Sequence, residues 1–166
     1  MLADFGTMDV VIRLETVVDI DDGPDTIDAP LIDGPTPDGL EPGLAPLGPV
    51  ASLNDDHSMS LSALYLAVLQ DGRRLTLFDD RGWSVSGPPD IWHLTSIEEV
   101  EATARTVTGP DEPFDTHGQA DMAADHWTHL ADNLRQQNVL IGAEKLSRLP
   151  HDVALTDRLR SRLTTA

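Results

Sequence analysis

Asp121, Asp125, His129 and Asp132 recur at spacings of four, four and three, and His126 precedes His129 by three. On a helix this pattern puts carboxylates and imidazoles on one stripe, a turn apart. Hard and borderline divalent cations are chelated by such donors when the backbone holds them rigidly. Asp121, Asp125, His126 and His129 are therefore the candidate metal ligands. A solvated helix face opposite the Trp127 side predicts the same residue types, with Asp125 and His129 as an ordinary i, i+4 pair. Metal centres draw ligands from more than one element, and no second element identifies itself.

The second chemical signal is the run DIDDGPDTID, where Asp19, Asp21, Asp22, Asp25 and Asp28 fall within ten residues. A calcium loop of the EF-hand kind needs acids at its first, third and fifth positions and a bidentate Glu at its end. Counted from Asp19, the fifth position is Gly23 and the closing Glu is missing, so the pattern fails. The run reads as a solvated acidic loop or as a contact surface for a basic protein, with Trp92 as a possible anchor.

Other motifs are weaker. His93 stands just before a helix start and His151 just after Pro150, and neither has a nucleophile beside it in sequence. Gly82-Trp83-Ser84-Val85-Ser86 misses the G-x-S-x-G elbow by its last glycine and lacks the strand–turn–helix setting. No phosphate-cradling glycine motif is present. Arg73, Arg74 and Arg81 have the chemistry to take an anion, but Asp71, Asp79 and Asp80 stand ready to neutralise them. No motif calls for a cofactor.

Charge sets the class. Eleven basic residues face 29 acidic ones, a net charge of −18. Residues 1–60 carry −12, residues 61–137 carry −8 and residues 138–166 carry +2. Such a field repels nucleic acid and anionic lipid and attracts basic proteins or cations. The absence of cysteine removes disulfides and thiolate chemistry and fits a cytoplasmic protein. No signal-like N-terminus is evident, and the longest apolar run, Ala63–Leu69, is far short of the ~18 residues that a membrane span needs. Ten arginines against one lysine match the codon bias of a high-GC bacterium.

The elements that must position these residues form an α+β pattern. With 40% hydrophobic residues but only 4% aromatic, the core must be mainly aliphatic. Residues 9–20 alternate as a half-buried strand with Val10, Ile12 and Leu14 on the apolar face. Residues 29–60, rich in Pro and Gly, read as an irregular linker. Residues 63–86 predict a three-stranded antiparallel meander, with a type I′ turn at Asp71-Gly72 and a second turn at Asp79–Gly82. Ile91–Leu94 reads as a short fourth strand. Capping boxes at Thr95–Glu98 and Ser96–Glu99 open a helix that Gly109-Pro110 stops. A longer helix starts at Ala120 and ends near Asn138. A short helix spans 143–149, and a basic helix capped by Thr156 closes the chain. The expectation is one domain over residues 1–166, with a small antiparallel sheet of three to five strands against two to four C-terminal helices.

These readings favour an acidic module that neutralises or docks a basic partner, as inhibitors of the immunity-protein, antitoxin or nucleic-acid-mimic type do. A metal-dependent enzyme or metal-binding module on the helix at 120–137 is the alternative. An accessory subunit that docks through its proline-glycine segment is a third.

Overall fold

In the computed structural model, residues 9–22 and 54–165 are described. The architecture is α+β, with a four-stranded sheet and five helices, two of them only one turn long. The strands are β1 (Val11–Ile20), β2 (Ser58–Leu69), β3 (Arg74–Ser86) and β4 (His151–Leu155). The helices are α1 (Ile91–Leu94), α2 (Ile97–Val107), α3 (Gln119–Gln136), α4 (Ala143–Ser147) and α5 (Asp157–Thr165). The sheet order is β3-β2-β1-β4. It is mixed rather than antiparallel throughout, because β4 pairs parallel to β1. The β4 strand was not expected from the sequence.

The meander is one long hairpin. Its tip forms where expected, but of Asp71 and Gly72 only the glycine has positive φ (87°). Leu69 N–H donates to Arg73 O (2.8 Å) across a three-residue loop, so the turn is not the two-residue type I′ form. Asp79–Gly82 is not a turn. Five steps of β3, Thr76 to Arg81, face three steps of β2, Leu66 to Ala63. Two residues therefore bulge out, and β3 continues to Ser86. Gly82 is required there, since a Cβ would lie 2.5 Å from Leu61 O. The linker reading also ends early, because β2 already begins at Ser58.

A second bulge corrects the first strand. The register shifts between Val11 and Arg13, so Val11 and Leu14 share the buried face while Val10 and Ile12 are exposed. Leu14, Thr16 and Val18 of β1 then line up with Ala67, Tyr65 and Ala63 of β2 on the helix-covered side. Around Leu14 and Tyr65 this side packs on Leu130, Leu134 and Leu146 of α3 and α4. Around Val18 and Leu61 it packs on Trp92, Val100, Ala104 and Leu159.

Ile91–Leu94 is helical rather than extended, since a four-residue apolar run fits either period. It buries Ile91 and Trp92 against α5 and β2. Of the two capping boxes only Ser96–Glu99 forms; the Thr95 hydroxyl instead donates to Ile91 O (2.8 Å). The α3 helix stops where Asn138 takes φ 66°. Among the described residues no helix is long and apolar enough to cross a membrane.

Candidate functional site

A hydroxyl and a histidine meet in the core. Thr16 Oγ1 lies 2.7 Å from His151 Nε2, which has the spacing of a nucleophile and its base. The surroundings argue otherwise. Thr108 donates its hydroxyl proton to Ala104 O (2.8 Å) and stands 3.3 Å from Thr16 Oγ1. Between Thr16 and His151 the donor is set by the imidazole tautomer. Burial, with a smaller push from Arg105, lowers the His151 pKa and keeps the ring neutral. Thr16 has 0% exposure, so no substrate reaches it. This trio closes the core where the two apolar clusters meet.

An open cleft lies between the bulged part of β3 and α3. It encloses about 300 Å³ and is lined by Phe78, Arg81, Asp111, Met122, Asp125, His126 and His129. Phe78 is its hub. The Arg81 guanidinium sits 4.7 Å over the ring, and His129 stacks on it at 5.9 Å and 12°. Arg81 also reaches Asp111 at 3.4 Å, drawing in the loop between α2 and α3. His126 is wedged between Phe78 (6.1 Å) and the edge of Trp127 (4.9 Å). Its Nε2 is buried with no hydrogen-bond partner among the described residues. Burial, then the charge of Arg81, lowers its pKa to about 4, against a small opposing pull from Asp111.

Two of the four candidate metal ligands are thus committed to the protein itself, and a third is held between two aromatic rings. The Asp121 carboxylate accepts from Gly118 N–H (3.2 Å) at the start of its own helix, and His129 is stacked. His126 faces rings. Asp125 alone of the four is exposed at the cleft with no partner among the described residues. No group of three His, Asp or Glu side chains among the described residues is placed to hold a metal ion.

No protein-family model, curated protein or solved structure matches the chain.

The first part of the acidic run is engaged within the fold. Arg158 on α5 donates to Asp19 Oδ1 (2.7 Å), Asp22 Oδ2 (2.5 Å) and Ile20 O (2.6 Å). Burial alone would raise the Asp19 pKa, but hydrogen bonds from Arg158, Thr156 and Ile20 N–H outweigh it and hold the carboxyl below its ordinary range. Asp19 and Asp22 thus tie the end of β1 to the last helix. Asp21 continues the ladder, its N–H donating to Ser60 O (2.9 Å). Asp25 and Asp28 lie outside the described residues. Trp92, considered as a partner anchor, is a core residue with 2% exposure, and its indole N–H donates to Asp55 O (3.0 Å). His93 is exposed on α1.

Eight of the ten arginines are held in ion pairs among the described residues. Arg73 pairs with Asp9 and Asp71, and Arg74 reaches the largely buried Glu15 (3.3 Å). Asp79, Asp80, Glu112, Asp115 and Asp125 have no ion pair among the described residues, and all are exposed. Asp125 lines the Phe78 cleft; Asp79 and Asp80 lie on the β3 bulge between Phe78 and Arg81, and Glu112 and Asp115 follow Asp111 in the loop after α2. Phe114 stands among them with 62% exposure. No sequence motif marks Phe78, Asp111 or Met122. The one available signal was the break in alternation at Phe78-Asp79-Asp80, which has the composition of a turn.

Proposed function

We propose that this chain is an acidic docking module that binds a basic protein, and that it does so on the face formed by the β3 bulge, the α2–α3 loop and the start of α3. The observation that carries this reading is a set of exposed carboxylates on the three segments that line an aromatic cleft. Folding uses most of the arginines internally, and among the described residues Asp79, Asp80, Glu112, Asp115 and Asp125 have no ion pair. Desolvating Phe78, Met122 and Phe114 supplies apolar contact, while the carboxylates steer a basic surface and set its register. Inhibitors that occupy a basic substrate groove use the same physics.

Co-purification from the native cell tests the reading. Wild type should retain a basic protein at low salt and release it as salt rises, because screening shortens the reach of the charges. The triple variant Asp79→Asn, Asp80→Asn, Asp125→Asn should lose it while melting at the same temperature as wild type. Recovery of no basic protein, or equal retention by the variant, overturns the proposal.

A further inference from the structure

β3 has two carbonyls capped near its start and an open stretch beyond the bulge. Asn133 of α3 donates its Nδ2 to Leu77 O (3.2 Å), and Gln137, at the end of that helix, donates its Nε2 to Thr76 O (3.0 Å). Beyond the bulge the ladder's alternation fixes which groups face outward. Gly87 N–H donates inward to His57 O (2.9 Å), and Ser60 O, on the far side of β2, accepts from Asp21 N–H (2.9 Å). Within the pairing Gly82↔Ser62, Ser84↔Ser60 and Ser86↔Ser58, the backbone N–H and C=O groups of Gly82, Ser84 and Ser86 therefore point away from β2. No described element pairs with them, and β3 is the outermost strand. A stretch of this kind is a template for another strand unless it is blocked.

Beside this open stretch, on the helix side, lies a groove of about 210 Å³ between β3 and α2. Met59, Trp83, Val85, Leu94 and Val100 form its apolar lining, with Glu99 at the rim. Leu94 is 64% exposed and Val85 37%. On the other side the side chains at 82, 84 and 86 are Gly, Ser and Ser, small enough to let a neighbouring backbone approach. The open edge also runs directly into Asp79 and Asp80.

We propose that β3 binds its partner by strand addition: an extended, basic segment of the partner protein pairs with Gly82–Ser86. This deepens the docking function proposed above and rests on it. The incoming strand places one aliphatic side chain in the Leu94–Val85 groove, and its Arg or Lys residues meet Asp79, Asp80 and Glu99. Charge selects this occupant. A second copy of the chain would bring another −18 to the same edge, whereas an alternating apolar and basic segment matches both the groove and its rim.

The test uses a ten-residue peptide of alternating Arg and Val, and the same peptide N-methylated on alternate amides in either phase. Binding to the full chain is followed by calorimetry, with Ser84→Pro, Ser84→Ala and Leu94→Asp as variants. Ser84→Pro removes an outward N–H, which the sheet itself does not use, and Ser84→Ala controls for the lost Ser60 Oγ–Ser84 Oγ contact (2.9 Å). Leu94→Asp adds a negative charge at an exposed site and spoils the groove. The expected result is that one methylated phase, Ser84→Pro and Leu94→Asp each weaken binding at least tenfold, with Ser84→Ala near wild type. If Ser84→Pro does not fold, the methylated peptides and Leu94→Asp carry the test. Equal binding by both methylated phases, or tighter binding by Leu94→Asp, means attraction by charge alone and overturns strand addition while the docking function stands. No peptide binding, alongside salt-sensitive capture of a basic protein in the co-purification, also overturns strand addition alone. Failure of both removes both.

Discussion

The replacement of His126 by Phe isolates a stability term with a defined sign. The half-buried ring sits between Phe78 and Trp127 at the cleft, and its buried Nε2 has no hydrogen-bond partner among the described residues. Its pKa falls from 6.5 to about 4 on folding. Above pH 6.5 the ring is neutral in both states and adds no pH dependence. As pH drops from 6.5 towards 4, the unfolded chain takes up a proton that the folded chain refuses, so stability falls. Below about 4 both states are protonated and the slope vanishes. Between pH 7.5 and 5.0 the full linkage amounts to about 2 kcal/mol, reduced to about 1–1.5 kcal/mol by water that reaches a partly exposed ring. Asp19 and Glu99, whose pKa values folding lowers from 3.8 and 4.5, lose their contributions at lower pH, outside this window. His151 shares the window but is common to both proteins, as is the relief of self-repulsion when a chain of −18 is acidified. Urea unfolding at pH 7.5 and 5.0 should therefore show His126→Phe within about 1 kcal/mol of wild type at the higher pH. On going to pH 5.0 it should lose about 1–1.5 kcal/mol less than wild type. Equal losses in the two proteins would refute the buried, neutral placement of this ring.

Thr16→Val leaves His151 Nε2 without its hydrogen-bond partner and should cost about 2 kcal/mol in urea unfolding, while Thr16→Ser, which restores the hydroxyl, should recover most of it. If the valine variant is as stable as wild type, the Thr16–His151 hydrogen bond does not hold. Trp92→Ala opens a cavity between α1, α5 and β2 and should destabilise by about 3–5 kcal/mol. An unchanged melting temperature with lost partner binding would instead make Trp92 the surface anchor that the sequence allowed.

How far the sequence could be read depended on how local each cause is. The Ser96–Glu99 box, the glycine at the hairpin tip and Asn138 at the end of α3 act within a turn of themselves, and each falls where residue type alone puts it. The β4 strand does not, because its five residues become a strand only through parallel pairing with β1, some 137 positions earlier at Leu14 and His151. The bulges mislead for a related reason. Asp79-Asp80-Arg81-Gly82 has the composition of a turn, and only the register against β2 shows that the strand continues through it. The same distinction governs the charges. Asp19 and Asp22 form the densest acidic run in the chain, yet Arg158, more than 130 residues away, neutralises them. Asp79, Asp80 and Asp125 stand out in sequence only as a turn and as a helix stripe, and nothing local joins them to Glu112 and Asp115. Which acids keep a free charge depends on the ion pairs that folding forms: Asp19 and Asp22 are paired, whereas Asp79 and Asp80 have no ion pair among the described residues.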